Sequence, residues 1–250
     1  MTSVTSDMLM SRANGDRARG NKGVWSMFFP DAQEEFARAW TAKSVASVAL
    51  GRGFVVNYDD GTATWSDVSP LLESKLRQQG VQTGSFGGKA SVRIRYLVLG
   101  DEGNFYVKFD NGRMEWCGQD SFGAALRRGV SERHLLVEKV AFAQEGGWLI
   151  IWSDRTFEAE NIPDTLEQRL GGTRVDDGRI TGPASGIKDI TLGPAGEWFV
   201  IYRDHSVQAD NLPDGLYKCL SQIREKTGRV RSIAFGENRS WFVRYWDGAK

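Results

Sequence analysis

The sequence predicts a mainly β fold with short helices, arranged as a closed ring of five strand-strand-strand-helix repeats. Three observations predict it. A two-strand pattern recurs five times, proline–acid pairs open helices after it, and the last copy stops halfway while a matching half-copy stands near the N-terminus.

The first element of each repeat is rich in β-branched and aliphatic residues: SVASVALG (44–51), IRYLVLG (94–100), VEKVAFA (137–143), IKDITLG (187–193) and VRSIAFG (230–236). The second reads GFVVNYDDG (53–61), NFYVKFDNG (104–112), GWLIIWSDR (147–155), EWFVIYRDH (197–205) and SWFVRYWDG (240–248). Composition and length make both of them strands. Asp60-Gly61, Asn111-Gly112 and Asp247-Gly248 then supply residues that tolerate φ > 0 in a tight hairpin. A shorter third strand follows in TATWSDV, RMEWCGQ, TFEAENI and SVQADNL.

Helices come next. Pro163-Asp164 and Pro213-Asp214 put proline at the first helical position and an acid where the helix dipole favours it. Equivalent helices are expected from Ser69-Pro70 and from Asp120. The aromatic closing the second strand is Tyr58, Phe109, Trp152, Tyr202 and Tyr245, with gaps of 51, 43, 50 and 43 residues. The two long gaps hold Gly-rich insertions, Gly80–Ala90 and Gly171–Gly186, expected to be surface loops.

The fifth copy ends after two strands. Gly23–Trp40 carries a short strand and then Pro30-Asp31 opening an amphipathic helix, in register with Ser206–Leu220. The N-terminus is thus expected to supply the third strand and helix of the unit the C-terminus begins. A ring joined this way leaves no unpaired edge at its seam, whereas an open β/α array, the alternative, calls for distinct polar caps. Residues 1–19 are expected to be a disordered tail, and residues 20–250 a single domain. Trp148, Trp198 and Trp241, with Phe54 and Phe105, open the second strands and are expected to fill the space between neighbouring units.

From about Gly23 to Lys250, with its W-F-V-x-Y-x-D-G run, the chain resembles repeat-type β-propellers in general. The resemblance implies a five-bladed β-propeller, with three strands and a helix per blade in place of the usual four strands.

Composition bounds the function. Lys+Arg and Asp+Glu are 32 each, so no bulk field draws the chain to nucleic acid or an anionic membrane, and no apolar run reaches a membrane span. Cys117 and Cys219 are expected to be inert thiols in a reducing compartment, with cytoplasmic localisation. The alternative is an organelle, reached by a weak transit segment holding Arg12, Arg17 and Arg19. No H-x-E, HExxH, CxxC or GxSxG spacing occurs. His134 and His205 read as surface residues, and Asp60, Asp154, Asp204 and Asp247 as turn residues bonding their own backbone. No catalytic residue, metal or cofactor is expected.

Two binding roles remain. The first is a non-catalytic scaffold presenting a rigid surface to other proteins, as a subunit of a larger assembly. The second is a lectin-like binder in which Trp25, Trp65 and Trp116 on the third strands stack on a carbohydrate or other small ring.

Overall fold

A computed structural model describes residues 10–13, 21–26, 30–82 and 92–246. The chain begins with β1 (Met10–Ala13), β2 (Asn21–Ser26) and α1 (Pro30–Ala42). The first unit holds β3 (Val45–Leu50), β4 (Phe54–Tyr58), β5 (Ala63–Ser66) and α2 (Pro70–Gln78). The second holds β6 (Ile94–Leu99), β7 (Phe105–Phe109), β8 (Met114–Cys117) and α3 (Asp120–Arg127). The third holds β9 (Val137–Phe142), β10 (Trp148–Trp152), β11 (Thr156–Glu160) and α4 (Asp164–Leu170), followed by β12 (Thr173–Arg174) and β13 (Ile180–Pro183). The fourth holds β14 (Ile187–Leu192), β15 (Trp198–Tyr202), β16 (Val207–Asp210) and α5 (Asp214–Glu225). β17 (Arg229–Gly236) and β18 (Ser240–Trp246) close the described chain.

These strands form five antiparallel sheets. β2 pairs with β18, so the N-terminal strand does complete the sheet that the last two strands begin, with Trp25 opposite Phe242. The first strands of successive sheets lie side by side: β3 against β6, β6 against β9, β9 against β14, β14 against β17, and β17 against β3.

Hairpin turns follow the sequence reading closely. Gly61 and Gly112 have φ of 87° and 83°. Asp60, Asn111, Asp154 and Asp204 each accept, through Oδ1, the backbone N–H two residues on. The turn containing Asp247 lies outside the described residues. Burial works against the Asp60 carboxylate, but hydrogen bonds from Lys43 and Thr62 outweigh it and hold its pKa at about 2. At Asp204 the Ser206 hydroxyl and N–H lower the pKa.

Four placements differ from the sequence reading. Pro163 and Pro213 are extended cap residues (ψ 135° and 141°), and the helices start at the following aspartates; Pro30 and Pro70 are the first residues of their helices, Pro70 behind the Ser69 cap. The insertion 171–186 is not a surface loop. It folds into β12 and β13, and β13 extends the third sheet beyond β11. Its anchor is Ile180, 1% exposed beside Phe157 and Leu166; burying such a side chain stabilises by about 1.5–3 kcal/mol. Met10–Ala13, within the expected tail, extends the fifth sheet by pairing with β2. Of the other insertion, residues 83–90 lie outside the described residues.

The recurring aromatics are buried, and each packs on the helix of the preceding unit. Phe54 meets Phe36 of α1 edge-on at 5.2 Å, and Phe105 joins Leu72 and Leu76 of α2. Trp148 meets Phe122 of α3 at 5.8 Å and donates from Nε1 to the Ser121 hydroxyl at 3.1 Å. Trp198 does the same to Thr165 of α4 at 2.9 Å, and Trp241 packs with Leu216 of α5.

A charged lock joins the segment after α3 to the third unit. The Glu158 carboxylate on β11, 4% exposed, accepts from Arg128 and Arg133, which follow α3, and from Arg179, which precedes β13. Glu158→Ala strands three guanidiniums together. It is expected to lower stability by about 2–3 kcal/mol, less than a fully buried pair because the arginines are partly solvated. Urea unfolding measures this, and an unchanged midpoint would count against the lock.

Candidate functional site

The three tryptophans considered for ligand stacking occupy one repeat position. Trp25 lies opposite Phe242, Trp65 opposite Val55 and Trp116 opposite Tyr106. Their surroundings are unlike. Trp25 is fully buried, with Phe36 at 5.4 Å and Trp40 at 6.0 Å, and offers no face to solvent. Trp65 is half-buried with the Arg77 guanidinium 5.9 Å above its ring. Trp116 is 36% exposed.

The groups that resemble catalytic ones are dispersed. His134 and His205 are exposed and have positive φ, 55° and 69°. Cys219 is buried on α5, and burial pushes its thiol up to about 11; Cys117 is half-buried on β8. Among the described residues no group of three or more His, Cys, Asp or Glu side chains could hold a metal. None of their helices is long and apolar enough to cross a membrane.

Two features stand out instead. One is a cavity of about 380 Å³ where the five first strands meet, lined by residues of β3, β6, β9, β14 and β17. Every first strand carries a bulge against its partner, and the residues skipped are Ala46, Arg95, Glu138, Lys188 and Arg231. A bulge re-aims the side chain it skips. Arg95, Lys188 and Arg231 line the cavity, and Arg244 of β18 joins them, donating to the carbonyl of Ala46. Lys139 also lines it and is paired to Asp189 at 2.6 Å. The balance of 32 basic and 32 acidic residues in the sequence gives no hint of this local excess of cations. The signal that finds Arg95, Lys188 and Arg231 is their shared place, directly after the aliphatic residues Ile94, Ile187 and Val230 that open the first-strand pattern.

The other feature is the outer edge of the fourth sheet. β11 is covered by β13 and β2 by β1, each an antiparallel strand from this chain. On β5, Ala63 N–H donates to the Gln82 carbonyl. Among the described residues β8 pairs with no strand but β7 and β16 with none but β15; β16 is exposed at three of its four residues and shows Val207 at 47%. Tyr217, on the helix that follows, is 66% exposed.

No family model and no curated protein matches the chain. A solved structure of YCF48 bound to D1 peptide is similar to it at 10% identity. The alignment covers 91% of this chain and 69% of that one, at a TM-score of 0.25. At that score the likeness carries no argument about ligand or partner.

Proposed function

We propose that the chain is a five-bladed β-propeller acting as a non-catalytic protein-interaction module, in which a partner contributes an extended segment to the open edge of β16. Support for ring closure comes from the cyclic order of first-strand contacts and from the β2–β18 pairing across the termini. The interaction reading rests on the edge itself. Two of the five outer strands are already capped by an antiparallel strand from this chain, so the sheets accept strand addition there. Among the described residues no strand covers the outer edge of β16, beside exposed Val207. Main-chain pairing supplies affinity in such complexes, and side chains such as Val207 and Tyr217 supply selectivity.

The test is capture from native extract by wild type and by the Val207→Lys, Tyr217→Lys double variant. A protein retained by wild type and by Lys218→Ala but lost from the double variant is the expected outcome. Equal capture by all three would overturn the assignment to β16. A carbohydrate reading keeps Trp65 and Trp116 only; Trp116→Ala on a glycan array tests it, and saturable binding abolished by that change would favour it over the protein partner.

A further inference from the structure

The cavity among the first strands combines two kinds of wall. Val48, Leu97, Val98 and Leu99 line it while only partly buried, so apolar surface remains open to it. Around them stand Arg95, Lys188, Arg231 and Arg244, from four different strands. The sole carboxylate in the lining, Asp189, is engaged by Lys139. Among the described residues no carboxylate is ion-paired to Arg95, Lys188 or Arg231. Glu138, the acidic residue at the bulge of β9, is not part of the lining.

Like charges brought together on one recess repel unless a counter-charge joins them, and a recess with low-dielectric walls strengthens their field on an incoming anion. The volume falls in the range of sites that enclose small organic molecules, which are mostly apolar with a few placed polar groups. We propose that this cavity binds a small organic acid, with its carboxylate among Arg95, Lys188 and Arg231 and its apolar body against Val48 and Leu97–Leu99. The arginines suit a carboxylate because the planar guanidinium matches its two oxygens. Since the cations come from different units, the ligand would also tie units together. That role is independent of any partner at β16.

The probe is octanoate, titrated calorimetrically into the full chain, with octanol, acetate and inorganic phosphate alongside. Saturable binding of one octanoate per chain is expected, weakening as salt rises, with octanol and acetate both at least about tenfold weaker. Arg95→Glu and Arg231→Glu are each expected to weaken octanoate binding by about tenfold or more, since each replaces an attraction by a repulsion. Both residues are exposed, and the thermal midpoint of each variant verifies folding. Lys218→Glu on α5 should leave binding unchanged. No octanoate binding, equal binding of octanol, phosphate bound as tightly as octanoate, or a loss as large in Lys218→Glu would each overturn the proposal.

Discussion

A fragment spanning residues 43–250 is expected to show no cooperative unfolding transition, and a peptide of residues 21–42 added in trans is expected to restore one. Removal of that segment uncovers a continuous aromatic cluster. Trp25, Phe36 and Trp40 are at most 2% exposed, and they pack on Phe54 of the first unit and Phe242 of the last. Large aromatic truncations in a core cost about 3–5 kcal/mol each, and a whole domain is stable by only about 5–15 kcal/mol. Losing three such side chains together, with the β2–β18 pairing, therefore exceeds what the rest can supply. Complementation is measurable by circular dichroism during a thermal ramp, with peptide concentration raising the midpoint by mass action. A cooperative transition in the fragment alone, unchanged by peptide, would show that the N-terminal half-unit is dispensable.

The sharing of a unit between the termini was legible because Gly23–Trp40 repeats the pattern of Ser206–Leu220, proline and acid included. Turn chemistry was legible for a similar reason: an Asp or Asn that bonds the backbone two residues on acts locally, so its role needs no tertiary context. What failed were readings that depend on neighbours far along the chain. Trp25, Trp65 and Trp116 are equivalent by register, yet α1 sets Phe36 and Trp40 against the first and buries it, while the second, with Arg77 of α2 over its ring, stays half-buried. Repeat position fixes where a side chain starts; the facing helix decides whether it is covered. The same limit hid Ile180, which looks like a stray apolar residue in a Gly-rich stretch until Phe157 and Leu166 are beside it. Arg95, Lys188 and Arg231 escaped for another reason. Strict alternation assigns faces along a strand, and a bulge breaks alternation at those residues without a residue type that announces it.

Trp148→Ala is expected to destabilise the protein by about 3–5 kcal/mol, and Trp148→Phe by appreciably less. The indole is fully buried and serves two joints at once. Its ring packs on Phe122 of α3, which belongs to the second unit, while its own strand lies between β9 and β11 of the third. Its N–H is satisfied by Ser121 at the start of the same helix, so the contact fixes the rotation of α3 as well as its distance. Phenylalanine keeps most of the apolar burial and loses the hydrogen bond, which is worth about 1 kcal/mol net. Ser121→Ala removes the acceptor and leaves the indole N–H buried, at about 1–3 kcal/mol. In a double-mutant cycle Trp148→Phe with Ser121→Ala should therefore cost less than the two single changes added together. Strict additivity would mean that the hydrogen bond does not set the helix. A near-neutral Trp148→Ala would mean that neighbouring units are held by something other than the aromatic that opens each second strand.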